Sequence, residues 1–313
     1  MDIVVLWVDG QDPKWLDSYR QFNGNRATEG EAFAARYKQA EELRFALRSI
    51  EKNAPWVRRI FLVHDDMQQP PWLRSFHDRL TLIPHSAFIP SEFLPTFSSY
   101  VIESFVHRIP GLFEDFVCTN DDTFLIRPSA PSTFFVDGKA VTYLSEFDTP
   151  SPPLQDNDPP WVQALKNAEQ LLGATTTPRK NVAHGYYSCK IRTAERAWHE
   201  FPDALVRNAR SRTRSSDSIA FLNHLVPYLM IRDQETIAKN RPFVRMHEWT
   251  LREKLSRIFR RSIWGLRHPA GGLQEIGLHL LHPPRVLCIN AGEPEAISAV
   301  LSKKFPSPSA FER

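Results

Sequence analysis

The chain has 313 residues, with 39 Lys and Arg against 36 Asp and Glu, a formal net charge of +3 and 42% hydrophobic residues. This is enough for one large domain or two moderate ones, and the ordinary soluble composition lacks the cationic excess that would suggest nucleic acid as a partner. Three separated cysteines, Cys118, Cys189 and Cys288, form no CxxC pair; they argue against a disulfide framework or a zinc knuckle and fit a reducing cytoplasm.

The opening MDIVVLWV lacks the basic and long apolar regions of a secretory signal, and no later run is apolar enough to span a bilayer. Ile3 to Val8 is instead a nearly continuous β-branched and aromatic run, ending in the dense turn signal Asp9-Gly10-Gln11-Asp12-Pro13. It predicts a buried first strand. Ligands of open α/β sheets bind beyond the carboxyl ends of strands, so Asp9 and Asp12 stand where a nucleotide could lie, or they simply make a tight turn. Residues 23 to 34 are polar and read as a loop. From Arg36 to Asn53, Tyr37, Ala40, Leu43, Leu47 and Ile50 recur at helical spacing. On that helix Arg44 and Arg48 share a face and suit either a diphosphate or plain solvation.

Val57 to Val63 and Leu80 to Ile83 read as further strands, each ending in polar residues: His64-Asp65-Asp66 and Pro84-His85-Ser86. Strands alternating with helices imply βαβ units and a mainly parallel sheet. The helical stretch from Phe97 to His107 puts Glu103 and His107 on one face. Phe116 to Thr119 then reads as a buried strand that stops at Asn120-Asp121-Asp122. A carboxylate pair at such an exit is costly to keep ionised unless a cation or a donor network compensates it. A divalent metal carrying the phosphates of a sugar nucleotide does so; a solvated strand-to-loop turn uses the same residues.

Residues 148 to 160, DTPSPPLQDNDPP, read as a loop or lid, followed by a helix from Trp161 to Leu172 and a polar loop leading into His184. A lone His between small residues reads as structural or surface-exposed when taken alone. Arg207, Arg210, Arg212 and Arg214 form a cationic cluster, either a solvated helix end or a phosphate site. Residues 241 to 268 mix Arg and Lys with Met246, Trp249, Phe259 and Trp264, which suits an interfacial helix on an anionic membrane or the cover of a core.

In this order and spacing DIVVLWVDGQDPKW, ELRFALRSIEKNAPWVRRIFLV, LTLIPHSAFIP, LPTFSSYVIESFVHRIPGL and FVCTNDDTFLIRP resemble the first two conserved regions of the Stealth family. These are sugar-phosphate transferases of microbial capsule synthesis, related to the GlcNAc-1-phosphotransferase that tags lysosomal enzymes. Ala183-His184-Gly185 with Ser211-Arg212-Thr213-Arg214 resembles the third region. Leu287-Cys288-Ile289-Asn290 and the segment from Lys304 to Glu312 resemble the fourth. Two positions depart from the pattern: Ser98 stands where the family has an amide, and Ala291 where it has Asp, with Glu293 as a conjectural substitute.

The resemblance implies a GT-A-like, Rossmann-related α/β fold with helices on both faces of a mainly parallel sheet and C-terminal helical additions. It implies one catalytic domain: a nucleotide-sugar half at 1–147, a lid or linker at 148–180, and an acceptor half at 181–313 that includes the basic segment. The implied reaction moves a hexose- or N-acetylhexosamine-1-phosphate from a UDP-sugar to a glycan hydroxyl and releases UMP. The alternatives are a metal-dependent glycosyltransferase releasing UDP and a non-catalytic glycan-binding protein. By motif and charge, Asp121, Asp122 and Asn290 would hold Mg2+ or Mn2+, and His184 would be the base. Arg44, Arg212 and Arg214 would face the diphosphate, while Trp7, Asp9, Gly10 and Asn120 would contact the donor. The expected location is cytoplasmic, with residues 241–268 as a candidate peripheral contact at the inner face of the plasma membrane.

Overall fold

The first apolar run forms strand β1 (Asp2–Leu6) at the centre of a five-stranded sheet with β2 (Arg59–His64), β3 (Leu80–Pro84), β4 (Asp115–Asn120) and β9 (Tyr187–Lys190). The computed structural model describes residues 1–24, 41–240, 243–245, 285–289 and 294–313. The spatial order is β3-β2-β1-β4-β9; the first four strands are parallel and β9 is antiparallel to β4. Successive residues Ile3, Val4 and Val5, and Ile60, Phe61 and Leu62, are all fully buried. Since neighbours on a strand point to opposite faces, both faces of this sheet are covered, as the continuous apolar runs predict.

The chain steps outward from β1 to β2 and β3, then returns to the other side of β1 as β4. The reversal makes the gap beyond the carboxyl ends of β1 and β4 the topological switch point, where open α/β sheets bind ligands. β1 ends two residues before the predicted Val8. The Trp7 amide still donates to Val63 O (3.1 Å), but the chain then turns at Asp9–Asp12.

Helix α1 (Pro13–Asn23) opens with Asp12, whose carboxylate accepts from the Lys14 and Trp15 amides at 2.8 and 3.2 Å. Asp12 is therefore a helix cap, satisfying amides that would otherwise lack partners. Helix α2 (Glu42–Asn53) is the described part of the helix predicted from Arg36; residues 36–40 lie outside the described residues. The predicted Phe97–His107 helix is shorter, α3 (Ser99–Phe105) with a 3-10 turn through Arg108. Beyond it lie α4 (Pro160–Leu172), α5 (Ile191–Glu200), α6 (Pro202–Arg210), α7 (Val226–Arg232) and α8 (Pro294–Lys304).

Two smaller sheets complete the described structure. One orders β10 (Thr236–Asn240), β7 (Lys139–Asp148) and β6 (Phe135–Val136), with β8 (Lys180–Val182) also on β7. The other orders β11 (Phe243–Arg245), β12 (Val286–Cys288) and β5 (Thr123–Leu125). Strands from beyond residue 180 thus pair with strands from before residue 149: β9 with β4, β8 and β10 with β7, β12 with β5. The expected lid segment is tied down by the buried Lys166, whose Nζ donates to Pro153 O (3.0 Å) and Asp158 (2.8 Å). Of the basic segment 241–268 only β11 is described, so its membrane reading lies outside the described residues. Among those residues no helix is long and apolar enough to cross a membrane.

Arg44 and Arg48 share a face of α2, as their spacing predicts, and both turn to Glu312. The Nε and Nη2 of Arg48 each lie 2.6 Å from the two Glu312 oxygens, its Nη1 donates to Phe305 O (3.0 Å), and Arg44 Nε is 3.5 Å from Glu312. Phe305, Leu301 and Ile297 pack with Phe45, Phe124 and Leu287 in a second apolar cluster, separate from the main core. Burial pushes the Glu312 carboxyl up, but Arg48 and Ser309 outweigh it and hold it below the ordinary glutamate value of 4.5. Its stabilising effect is therefore present above that value and lost as pH falls through the lower folded value. Glu312→Ala is expected to cost about 3–5 kcal/mol at neutral pH, because it strands a half-buried Arg48. The deficit should shrink in acid; urea midpoints measured at both pH values check this, and a pH-independent deficit contradicts the pairing.

Candidate active site

Parallel pairing sets Leu6 opposite Asn120, and the Asp121 amide adds a last bond to Leu6 O (3.2 Å). Asp121 and Asp122 follow directly, half-buried, at the switch point beside the loop that carries Asp9. That loop is pinned by Gln68: the Asp9 amide donates to Gln68 Oε1 (3.0 Å), and Gln68 Nε2 donates back to Asp9 O (2.5 Å). One Asp9 oxygen accepts from the Gln11 amide at 2.9 Å. Trp7 and Asn120 are half-buried and Gly10 is buried along the same rim.

Asp122 is placed by a second ladder. Antiparallel pairing puts Cys288 opposite Thr123, and the Ile289 amide donates to Asp122 O (2.9 Å). Asp122 Oδ1 accepts from the Thr123 hydroxyl (3.1 Å) and Oδ2 from the Cys288 thiol (3.5 Å). His184, on the turn between β8 and β9, joins them: ligand atoms of Asp122, His184 and Cys288 all lie within 4.8 Å of one another. The Tyr187 hydroxyl sits 2.7 Å from His184 Nδ1 and orients the ring.

Burial raises the Asp121 carboxyl well above its ordinary range, and the neighbouring charges of Asp122 and Glu42 raise it further. Glu42 is a buried acid in the first turn of α2. Crowded carboxylates with a histidine alongside make a donor set that a divalent cation would relieve of repulsion. Asn290 and Ala291, expected to bear on that cation, lie outside the described residues, as does Glu293.

The arginines divide. Arg44 pairs with Glu41 (2.6 Å) and Glu312 and lies over the Trp72 ring, so its cation is engaged by these groups. The Arg212 guanidinium donates to the Leu94, Pro95 and Glu92 carbonyls and stacks on Phe22, which makes it a latch for that loop. Arg214 donates to the Ser99 hydroxyl (3.1 Å), covers Tyr100 and acts on Glu103. Burial pushes Glu103 up to about 7, against the pull of Arg214 and the Leu222 amide. His107, on the same helical face, is held neutral by burial, its pKa lowered to about 3.

Glu42, Cys288 and Tyr187 escape sequence reasoning. Glu42 had a legible signal, an acid on the buried stripe of an amphipathic helix; the ladder that brings Cys288 to Asp122 leaves no local trace.

Two stability predictions follow from these carboxyls. In chelator, Asp121→Asn is expected to stabilise the fold at neutral pH by on the order of 1 kcal/mol, read as a higher melting temperature, because it removes a carboxyl crowded by Asp122 and Glu42; an unchanged or lower melting point contradicts the crowding. For Glu103 the folded pKa is raised, so the folded state holds more protons between 4.5 and about 7, and stability falls as pH rises through that window. Glu103→Gln should flatten that decline in denaturant titrations.

Residues 1–27 match Stealth protein CR1, conserved region 1, and residues 36–142 match Stealth protein CR2, conserved region 2. An exopolysaccharide phosphotransferase of Streptomyces coelicolor is 39% identical over 234 residues, 73% of this chain and 39% of the relative. A capsular polysaccharide phosphotransferase of Actinobacillus pleuropneumoniae is 32% identical over 246 residues, 76% of this chain and 67% of the relative. The chain thus spans well under half of the Streptomyces protein and about two thirds of the Actinobacillus one. Among solved structures, the galactosyltransferase LgtC in complex with donor and acceptor sugar analogues is similar at 12% identity and TM-score 0.48, covering 99% of this chain and 97% of that one. Mouse xyloside xylosyltransferase 1 is similar at 10% identity and TM-score 0.43, covering 93% and 97%.

Proposed function

The chain belongs to the Stealth family, and from that membership we propose that it transfers a sugar-1-phosphate from a nucleotide sugar to a glycan hydroxyl, as its relatives' names suggest. The donor is a UDP-sugar, a UDP-N-acetylhexosamine in the first instance, and the products are a phosphodiester and UMP. The observation that carries this reading is the meeting of Asp122 and His184, with Asp121 adjoining Asp122, at the switch point of the sheet.

In this reading the acceptor oxygen attacks the β-phosphorus in line, the bond from that phosphorus to the bridging oxygen breaks, and UMP leaves. His184 takes the acceptor's proton, with its ring held by Tyr187. Asp121, Asp122 and Asn290 would hold Mg2+ or Mn2+, which would supply positive charge to offset the phosphates of the donor. Arg214 is the arginine whose surroundings best suit a phosphate contact, because Arg44 and Arg212 are committed elsewhere. Trp7, Asp9, Gly10 and Asn120 form the donor rim. The residues on either side of the 148–180 segment would hold donor and acceptor, respectively.

A glycosyltransferase breaks the sugar–oxygen bond instead and leaves UDP. With UDP-N-acetylhexosamine, Mg2+ and a glycan acceptor, the nucleotide product is expected to be UMP; UDP overturns the mechanism. His184→Ala should lower kcat by about 10²–10⁴, the usual contribution of a general base, with little change in KM for the donor.

A further inference from the structure

Mg2+ takes oxygen ligands, yet the two groups that gather with Asp122 so that all three ligand atoms lie within 4.8 Å of one another are an imidazole and a thiol. That mixture is the donor chemistry of Zn2+, which binds carboxylate oxygen, imidazole nitrogen and thiolate sulfur in tetrahedral sites. We propose that Asp122, His184 and Cys288 form a binding site for Zn2+ or a similar thiophilic divalent cation, overlapping the proposed transfer site.

Three features support this beyond proximity. The donors come from separate segments, and backbone ladders fix two of them, through the Cys288–Thr123 pairing and the Ile289 amide on Asp122 O (2.9 Å). The Cys288 thiol already points at a ligand oxygen, 3.5 Å from Asp122 Oδ2. The Tyr187 hydroxyl holds His184 through Nδ1 at 2.7 Å, the kind of outer partner that orients a metal-binding imidazole. Cys118 and Cys189 are also buried, but they lie on β4 and β9, where their neighbour is the Glu103 carboxyl, and they are no part of the cluster.

Binding replaces the S–H bond of Cys288 with a sulfur–metal bond and releases the proton to solvent. Three protein ligands leave a fourth position for water or substrate. If His184 is the base, a step that rests on the proposed function, Zn2+ takes the lone pair that deprotonation needs and should inhibit the Mg2+-supported transfer.

The test uses the full chain stripped with chelator. Titration with Co2+ as a spectroscopic stand-in is expected to give a thiolate-to-cobalt charge-transfer band, displaced by Zn2+ and absent in Cys288→Ser. Calorimetry with Zn2+ in buffers of different ionisation enthalpy should show proton release. His184→Ala should weaken Zn2+ by more than the roughly 10–100-fold that loss of an outer partner costs. Should Cys288→Ser not fold, X-ray absorption on the Zn2+-loaded wild-type chain decides: a sulfur neighbour at about 2.3 Å supports the site, and an all-oxygen or all-nitrogen shell overturns it. A cobalt band that survives in folded Cys288→Ser also overturns it. Zn2+ binding together with no UMP release in a separate Mg2+ assay free of Zn2+ upholds the site and rejects the transfer reading; UMP release in that assay without Zn2+ binding does the reverse.

Discussion

The candidate site depends on where the parallel ladder between β1 and β4 stops. Leu6 faces Asn120, one more amide bond reaches Leu6 O from Asp121, and the pairing then ends. Strand geometry alternates side chains between faces, so a ladder longer by two residues would drive Asp121 and Asp122 into opposite faces of a covered sheet. Ending there lets both carboxylates stay at the rim. The antiparallel pairing of β5 with β12 takes over within three residues and brings Cys288 to the same point.

Helix α2 serves two electrostatic tasks on different faces. Residues 44 and 48 lie one turn apart and carry cations to Glu312, which they neutralise; Glu42 lies on another side and adds negative charge near Asp121. The first arrangement stabilises the fold, and the second works against it. Negative charge gathered at the carboxyl edge of the sheet, beside the loop of Asp9, is the kind of local cost that a fold tolerates at a functional site.

Much of the sheet was legible in the sequence because its signals are local. Fully apolar runs gave the central strands, alternation with helices gave the parallel pairing, and each strand end was marked by polar residues. The Asp121–Asp122 turn was visible for the same reason. What local pattern does not encode is partnership across the chain. Arg44 and Arg48 read as diphosphate ligands or solvated charges, and their partner is a carboxylate some 260 residues away. Arg212 read as a phosphate ligand because arginine suits phosphate, while backbone carbonyls at residues 92–95, over a hundred positions earlier, claim it instead. Cys288 passed as an isolated thiol because only strand pairing brings it to Asp122.

The Glu312 clamp also bears on the order in which the protein matures. A ribosome delivers α2 and the central strands long before residues 305–312, so Arg48 emerges without the carboxylate and the Phe305 carbonyl that later hold it. Domains assemble as the chain is delivered, and exposed apolar surface in a nascent chain invites wrong contacts. Until Phe305 and Leu301 arrive, Phe45, Phe124 and Leu287 keep an uncovered apolar flank next to the helix that carries Glu42. The central sheet can therefore form first, while the helix that presents Glu42 toward Asp121 is locked only when residues 305–312 dock, so site assembly waits on a carboxylate 264 positions downstream of Arg48.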